Sequence, residues 1–432
     1  MHAVIVGSGL VGAATAVALA QVGVSSALYD QVDLVEAALK SKGSPVAVDF
    51  GDSGGAVMLQ ASALRVMSSL GLLDQVMEGG FPSPKSTWLK MDGSAPIEFD
   101  IGAQAERSGE TDRSLLAPIQ IMRSKLHSIL MQACHRAGVK TYMGKKLVRV
   151  TESSSGVTAH FADGASATGD ILIGADGVHS ATRGLVFGKQ LKAQFTGKIG
   201  YIAVVKTTEN NIQLKETVGF YIDRNHQRVV NVFKTTADTA SIAVYTIDQP
   251  EPEAANADYY RPATDLPGES NRLADLIHSW GVPKHLEQMV RKAYRITPAA
   301  IYDLPNLPTF VQGNVLLIGD SAHGMLPNGG LGLGTGLEDV GVLRELFRRL
   351  PKETNVPRVF ELYNKIRVPR AHANQEKSRE LAAQYYSKPA LGGNFGHWLL
   401  RMIMFAMSRN WIPFNNAYNV VEEVEKVLPP AR

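Results

Sequence analysis

Apolar runs of strand length recur in distant parts of the chain. Residues 2–6 form such a run, followed by a glycine-rich turn, an apolar helical stretch and a second run that ends at Asp30. This order predicts a β-α-β unit with parallel strands and a right-handed crossover. The stretch 314–320 resumes the same apolar strand character. The pattern therefore predicts one parallel sheet assembled from separated segments.

Between these runs, residues 186–300 contain pieces that alternate apolar and polar positions, which predicts a separate antiparallel sheet. A long helical pattern covers about 335–385. We therefore predict an α/β fold: a discontinuous Rossmann-like domain, an inserted antiparallel-sheet domain for substrate, and C-terminal helices. The predicted bounds are 1–80, 104–185 and 300–385 for the first domain, 81–103 and 186–299 for the second, and 386–432 for the helical segment.

Composition and charge exclude several classes. The net charge is +3 and no long Lys/Arg run occurs, so nucleic acid is not an expected partner. The single cysteine, Cys134, excludes an intrachain disulfide and a multi-cysteine metal centre, and no metal site is predicted. We expect a half-buried helix cysteine there. The first 24 residues carry no Lys or Arg, and no apolar run reaches 18 residues, so we expect neither a signal peptide nor a spanning helix, and a cytoplasmic location.

The first chemical motif is a GxGxxG turn between the first strand and the first helix. Its glycines allow a tight turn, a close approach of backbone to a pyrophosphate, and helix-strand packing. The helix N-terminus offers free N–H groups to phosphates, and an acidic residue at the end of the second strand can bind ribose hydroxyls. The residues predicted to contact a dinucleotide are Gly7, Gly9, Leu10, Val11, Gly12 and Asp30.

A second glycine-rich motif follows the apolar run before residue 319. Gly319 and Asp320 open it, Pro327 stiffens its middle, and glycines between 329 and 334 lead into the next helix. That helix N-terminus can stabilise negative charge on a flat ring, and glycines let backbone lie against the ring. The residues predicted to contact this ligand are Gly319, Asp320, Pro327, Gly330, Leu331, Gly332 and Leu333.

These motifs resemble the para-hydroxybenzoate hydroxylase family of group A FAD monooxygenases. The resemblance also rests on Asp176-Gly177 after a third strand, on Arg183 that follows it, and on Arg123 in a helix. The likeness covers most of 1–385. It implies that Asp320 contacts the ribityl chain of a non-covalently bound FAD, that Arg123 lies beside the flavin, and that Asp176 lies near the pyrophosphate. The first domain is thus expected to bind FAD.

The resemblance implies a monooxygenase reaction. NADPH or NADH reduces FAD while bound transiently, O2 then gives a flavin C4a-hydroperoxide, and one oxygen atom passes to the substrate by hydroxylation or epoxidation. A flavin reductase, a halogenase, or a non-enzymatic protein that kept the fold are the alternatives, although no WxWxIP-like halogenase segment is found. Val204 and Val205 replace an aromatic and an arginine that relatives carry, which disfavours a charged carboxylate substrate.

The substrate is expected to be a small aromatic, indole, alkaloid or polyketide-like molecule held between the flavin and the inserted sheet. Tyr201 and Tyr221 on that sheet, and Pro327 beside the flavin, are the candidate catalytic residues, whereas His323 is expected to be structural. The apolar segment 395–414 is interpreted as a core or dimer-contact helix, with a peripheral membrane contact or a lid as alternatives. The chain is expected to be a monomer or a homodimer.

Overall fold

The computed structural model describes residues 1–32, 54–107, 110–153, 156–247, 249–250, 263–350, 356–386, 393–408 and 418–428. The predicted connection at 31–53 lies, from residue 33 onward, outside the described residues. The strands are β1 (His2–Val6), β2 (Ser25–Tyr29), β3 (Ala56–Leu59), β4 (Phe81–Pro82), β5 (Lys85–Leu89), β6 (Ile97–Asp100), β7 (Ile119–Met122), β8 (Lys140–Tyr142), β9 (Leu147–Ser153), β10 (Gly156–Phe161), β11 (Ser166–Gly169), β12 (Ile171–Gly174), β13 (Gln194–Lys206), β14 (Val218–Asp223), β15 (Arg228–Lys234), β16 (Thr239–Thr246), β17 (Arg295–Asp303), β18 (Val311–Gln312) and β19 (Val315–Leu317).

The helices connect these strands and close the C-terminal part. They are α1 (Leu10–Gln21), α2 (Ala61–Ser69), α3 (Leu73–Gly79), α4 (Ile101–Arg107), α5 (Arg113–Leu116), α6 (Arg123–Arg136), α7 (Ala181–Val186), α8 (Leu266–Ser279), α9 (Lys284–Arg291), α10 (Asp320–His323), α11 (Gly332–Arg349), α12 (Val356–Tyr386), α13 (Gly393–Ser408) and α14 (Val420–Val427). A 3-10 turn spans Pro327–Gly329. The helical pattern at 335–385 thus corresponds to two helices, α11 and α12.

A six-stranded sheet has the order β18-β19-β12-β1-β2-β8 and is parallel except at β18. Its central strands β1, β12 and β19 are buried and apolar, as expected for a parallel sheet covered on both faces. The α/β, Rossmann-like fold class predicted from the sequence is confirmed. Because neighbouring strands in this sheet come from residues 2–29, 171–174 and 315–317, the carboxyl ends of distant segments meet at one edge.

A seven-stranded sheet has the order β17-β13-β16-β15-β14-β5-β6 and is antiparallel except between β14 and β5. Strands β5 and β6 come from the 81–103 segment, and β17 ends at Asp303, a few residues beyond the predicted boundary. Helices α8 and α9 cover one face through a buried apolar cluster that includes Ala203, Val230 and Leu273. The other face meets the six-stranded lobe, where Leu326 packs with Val229.

Cys134 is a buried helix residue whose Sγ lies 3.3 Å from the carbonyl oxygen of Ala13. Burial raises the pKa of the thiol to about 12. The thiolate is the reactive form, so at pH 8 only about one thiol in ten thousand is reactive. We expect Ellman's reagent to label the native protein far more slowly than the urea-unfolded protein. Equal rates in the two states would contradict this environment.

The exposure of helix α13 contradicts the prediction that the apolar segment 395–414 is a core helix. The large apolar side chains that the structure describes in this helix are exposed, with Trp398 at 54%, and the others are Phe395, Leu399, Met402, Ile403 and Phe405. A core helix would bury these groups, so the core assignment of this part of 395–414 is wrong, and residues 409–414 lie outside the described residues. Among the described helices, none is long and apolar enough to cross a membrane.

Candidate active site

The first glycine turn is a tight backbone turn that leaves no room for a side chain at Gly7 or Gly12. Gly7 has φ +100°, and a Cβ placed on it would lie 2.4 Å from the carbonyl oxygen of Ala175. A Cβ on Gly12 would lie 2.1 Å from the carbonyl oxygen of Gly7. Around Gly9 the space is open. The turn therefore presses against the segment that follows β12 and leaves its outer side free for a ligand that approaches the N-terminus of α1.

Asp30 holds this turn in place. Its Oδ2 accepts hydrogen bonds from the Ser8 backbone N–H at 2.7 Å and the Ser8 hydroxyl at 2.8 Å. His127, which the sequence interpretation missed, donates from Nε2 to the carbonyl oxygen of Ser8 at 2.7 Å. Nothing in the local sequence marks His127, because its partner lies 119 positions away. The ribose contact of Asp30 remains a prediction.

A cleft of about 220 Å³ runs along the carboxyl ends of β1, β2 and β12. Parallel strands place ligand sites at this edge. The predicted residue Asp176 lines it and caps α7: its carboxylate accepts from the Ser180 hydroxyl at 2.5 Å and from the Thr182 N–H at 2.9 Å. Burial raises the pKa of Asp176, and these hydrogen bonds oppose the rise. The cleft is lined by Val6, Gly7, Gly9, Tyr29, Asp30, Gln31, Lys145, Leu147, Ala175, Asp176, Gly177, His179 and Ala181.

The two glycine motifs are packed directly on each other. Gly319 has φ +65°, and a Cβ there would lie 3.1 Å from the side chain of Val11. Gly336 in α11 approaches the same valine, since a Cβ on it would lie 2.7 Å from Val11 Cγ2. Leu10, the other predicted helix residue, is buried in the core. Val11 thus separates the second turn and α11 from the first helix, and its contact with a ligand remains a prediction.

Asp320 and Arg123, both predicted site residues, lie close enough to interact electrostatically. The Asp320 side chain is exposed on one side, although protein atoms surround it on the others. Burial raises the pKa of Asp320, and His323 and Arg123 oppose this rise. A Cβ placed on Gly332, the first residue of α11, would lie 3.9 Å from Asp320 Oδ1. The arginine, the carboxylate and a helix N-terminus therefore lie near one another.

A buried ionic cluster holds the second turn. Asp339 in α11 accepts from the Gly319 N–H at 2.9 Å, from His323 Nε2 at 2.6 Å and from Arg367 Nε at 2.7 Å. Arg367 also pairs with Glu338 at 3.1 Å. Burial alone would raise the pKa of Asp339, but His323 and Arg367 outweigh it and hold the pKa below its ordinary value. The sequence indicated a structural role for His323 but gave no sign of its partners.

Arg183 connects the second and third motifs. Its guanidinium is buried and donates to the carbonyl oxygens of Ser321 at 2.9 Å, Val178 at 2.6 Å and Leu191 at 2.6 Å. Several donors in one rigid plane suit such a bridge between loops. The arginine that follows the Asp176-Gly177 motif in the sequence therefore locks this loop to the turn that carries Asp320.

The segment after this turn faces the seven-stranded sheet. Pro327 is exposed at the start of the 3-10 turn, and Gly330 adopts a left-handed conformation with φ +61°. Leu331 precedes α11 and Leu333 lies in its first turn. Asn328 hydrogen-bonds the buried Tyr386. Pro327 and the glycines thus stand near Asp320 and toward the sheet, as a ring-binding loop requires.

Tyr201 and Tyr221 lie on the wrong face of the sheet for the predicted role. Tyr201 packs beneath the Arg272 guanidinium of α8, 4.8 Å from its ring centroid. Tyr221 is buried in the cluster under α8 and α9, where its hydroxyl contacts Glu216. The face toward the glycine motifs instead carries Ile202, since a Cβ on Gly55 would lie 2.3 Å from Ile202 Cγ2. The structure does not bring either tyrosine to the site, and their predicted catalytic roles are corrected.

The geometry fits an extended ligand with a pyrophosphate at one end and a flat ring at the other. Gly7 and Gly12 let the turn pack tightly against protein backbone, Gly9 leaves open space at the N-terminus of α1 for a pyrophosphate, and Gly319, next to Asp320, lies against Val11 of the same helix. Consistent with this, residues 1–378 match the profile of the FAD binding domain family. The match covers most of the chain. The chain belongs to this family.

Several curated relatives of this flavoprotein are monooxygenases. It is 28% identical to salicylate hydroxylase of Pseudomonas putida over 90% of this chain and 87% of the relative. It is 26% identical to the FAD-dependent urate hydroxylase of Klebsiella pneumoniae over 81% of this chain and 82% of the relative. The protein is accordingly an FAD-dependent monooxygenase, an oxidoreductase of the group A type that the sequence indicated.

Solved structures show the same fold. Klebsiella pneumoniae HpxO in complex with FAD and uric acid superposes with a TM-score of 0.76 at 22% identity, covering 95% of this chain and 96% of that one. A salicylate hydroxylase substrate complex superposes with a TM-score of 0.75 at 23% identity, covering 100% of this chain and 98% of that one. The predicted FAD-binding fold is confirmed by these likenesses.

Proposed function

We propose that this monooxygenase inserts one atom of O2 into a small uncharged ring compound, of the aromatic, indole or polyketide-like type, that lies between the flavin and the seven-stranded sheet. Relatives named for salicylate and urate support a ring-shaped substrate. The observation that carries the proposal is the proximity of Arg123, Asp320 and the N-terminus of α11 at the exposed end of the second glycine turn, where a flavin can bind.

FAD bound here supplies the redox chemistry: it takes two electrons from NADPH or NADH and activates O2. In the balanced reaction, a substrate C–H becomes C–OH, the second oxygen atom leaves as water, and one proton and the nicotinamide hydride are consumed. Gly7, Gly9 and Gly12 would hold the pyrophosphate and Asp320 the ribityl hydroxyls. The N-terminus of α11 would stabilise negative charge on the reduced ring.

The remaining residues position the ring compound and exclude water. Leu326 closes the loop against Val229 of the sheet, and Tyr386 holds Asn328 beside Pro327. This packing would help to keep water from the face between loop and sheet, which would limit side reactions there. Pro327 would restrict the loop near the ring rather than transfer protons, because proline has no titratable group.

Replacing Asp320 by alanine tests the proposal. We expect the affinity for FAD to fall by about 10- to 100-fold, the value of a hydrogen bond to a charged group, and Asp320→Asn to retain part of it. FAD retention after desalting, measured by visible absorbance, and equilibrium titration of the apoprotein are the readouts. Asp74→Asn, on the exposed first turn of α3, serves as the control with unchanged retention. Undiminished binding in Asp320→Ala would refute the assignment.

Isotopic oxygen separates the reaction from its alternatives. With ¹⁸O2 and reduced nicotinamide, the product should carry one labelled oxygen atom while H2¹⁸O contributes none. A product that gains only hydrogen would identify a reductase, and one that gains chlorine or bromine from added halide would identify a halogenase. Either result would overturn the proposed reaction without affecting the FAD site.

A further inference from the structure

The flavin-facing side of the seven-stranded sheet presents one continuous row of side chains. Cross-strand pairs place Phe220 opposite Asn231, Asn231 opposite Ala243, Ala243 opposite Ile202, and Ile202 opposite Thr297. Directly paired residues project to the same face of a sheet. Because Ile202 packs under Gly55, this row faces the FAD-binding lobe.

A second wall belongs to the FAD-binding lobe and begins beside Gly55, the residue that approaches Ile202. In the three-stranded sheet β3-β7-β4, Gln120 pairs with Met58 on one side and with Phe81 on the other. Its neighbours Ile119 and Ile121 project into the core of the FAD-binding lobe, so Gln120 projects the opposite way. A Cβ on Gly330 would lie 3.1 Å from Met58 Cε, which places this wall beside the loop that would hold the flavin ring.

Polar atoms on both walls are buried without partners. Gln120 is 0% exposed, and neither its Oε1 nor its Nε2 has a hydrogen-bond partner among the described residues. The same holds for Asn231 Oδ1 and Thr297 Oγ1, on side chains that are 6% and 2% exposed. An unpaired buried polar group costs about 1–3 kcal/mol, and such groups call for a specific reason. A ligand held between the two walls would satisfy them.

The amide of Asn231 is already oriented. Burial raises the pKa of Tyr245 to about 12, and a hydrogen bond with the Asn231 side chain opposes that rise. Because Asn231 Oδ1 is unpartnered among the described residues, the amide N–H is the group that meets the tyrosine oxygen. This leaves the carbonyl oxygen of Asn231 as an acceptor, while Gln120 offers one acceptor and one donor.

The amides and the hydroxyl that this row offers to a ligand are neutral. Arg295, two residues before Thr297 on the same face, donates from Nη2 to the carbonyl oxygen of Gly54 at 2.9 Å. Its guanidinium is therefore already hydrogen-bonded to the backbone that precedes β3. Phe220 and Tyr245, with Trp88 at 5.4 Å from Phe220, provide flat apolar surface around the amides.

We propose that Gln120 and Asn231 orient the substrate and select an uncharged planar ring that carries an N–H donor next to a carbonyl acceptor, as in a lactam of a nitrogen heterocycle. A primary amide with both ends free is the complement of such an edge. This inference rests on the proposed function, because it assigns the molecule that receives the oxygen. Thr297 adds a hydroxyl that can meet a further ring substituent.

The first test uses a matched pair of probes and the FAD-loaded wild-type protein. 2-Quinolone carries the lactam edge, and coumarin differs by an oxygen atom in place of the ring N–H. Binding is read from the change in flavin absorbance during titration, without turnover. We expect 2-quinolone to bind at least about tenfold more tightly, since coumarin leaves a buried acceptor unpaired. Equal affinities would overturn the proposal.

The second test uses Gln120→Met and Asn231→Leu, with Tyr201→Phe on the opposite sheet face as the control. Both site variants should lose most of the preference for 2-quinolone, and the control should keep it. Without ligand, Gln120→Met should unfold at the same temperature as wild type or higher, because two unpaired buried atoms are removed. A purely structural glutamine would instead show lower thermal stability with an unchanged preference.

These outcomes are separable from failure of the proposed function. A protein that retains FAD but binds neither probe, or prefers coumarin, refutes the substrate assignment alone. A protein that retains no FAD refutes the proposed function. Should Asn231→Leu fail to fold because Tyr245 loses its partner, the wild-type probe pair and Gln120→Met still decide the question.

Discussion

Gly12→Val is expected to abolish retention of FAD. The first side-chain atom would lie 2.1 Å from the carbonyl oxygen of Gly7, a distance that requires the backbone to move. Overpacking of this kind costs about 1–3 kcal/mol or more, and the shift would displace the N–H groups of α1 from the pyrophosphate. We expect at least a tenfold loss of affinity for FAD, measured by titration of the apoprotein, since about 1.4 kcal/mol is already a factor of ten.

Two glycine-to-alanine variants distinguish the clash from a general glycine effect. Gly184 lies in α7 with open space around it, so Gly184→Ala should bind FAD as wild type does. Gly9 also has open space within the protein, so Gly9→Ala should fold normally yet bind FAD less tightly, because its Cβ would point where the pyrophosphate approaches. Full FAD retention by Gly12→Val would contradict the steric origin of the tight turn.

Asp339→Asn is expected to destabilise the fold by about 3–5 kcal/mol, because the fully buried Arg367 loses one of its two carboxylate partners and buried His323 loses a charged hydrogen-bond partner. The midpoint of urea unfolding, at pH 7 with and without FAD, measures the effect. Glu361→Gln on the exposed surface of α12 breaks an ion pair with Arg358 and should change stability by at most about 0.5 kcal/mol. If the two variants lowered the free energy of unfolding by similar amounts, the buried cluster would contribute no more to stability than an exposed ion pair.

The difference in unfolding free energy between wild type and Asp339→Asn should depend on pH in a predictable direction. The folded-state pKa of Asp339 is depressed, so its stabilisation is complete above the pKa of the unfolded carboxyl group. It is lost as the pH falls through the lower folded-state pKa. The gap between wild type and Asp339→Asn should therefore stay constant from pH 7 to about pH 5 and narrow only under more acidic conditions.

The sequence predicted the parts of the molecule in which local pattern and chemistry agree. Strands β1, β12 and β19 are continuous apolar runs, and runs of that kind belong in a buried parallel sheet. Gly7 and Gly319 both have positive φ; Gly7 packs against the backbone of Ala175 and Gly319 against Val11. Only glycine fits such positions, so the sequence itself indicates the tight turns.

The sequence could not predict which face of the seven-stranded sheet meets the flavin, or which distant residues contact each other. Tyr201 and Tyr221 share one face because cross-strand pairs through Val244 and Val230 connect them. Both faces of this sheet are covered, so alternation alone does not say which face meets the flavin. Three helix residues, His127, Arg183 and Asp339, bind partners that are distant in sequence. The local sequence does not show whether a single polar or charged helix residue is buried. Gln120 was hidden for the same reason, inside an otherwise apolar strand.

The interleaved strand order also constrains how the protein can be made. The central sheet joins residues 2–6 to 171–174 and then to 315–317, and the turn that carries Asp320 is fixed by α11 and by Arg367 of α12. A nascent chain that has emerged only through the inserted sheet still lacks the last parallel strand. It also lacks the whole ionic cluster, since His323, Asp339 and Arg367 all follow that strand. Loading of FAD during synthesis is therefore expected only after the segment up to Arg367 has left the ribosome, although N-terminal segments usually fold first.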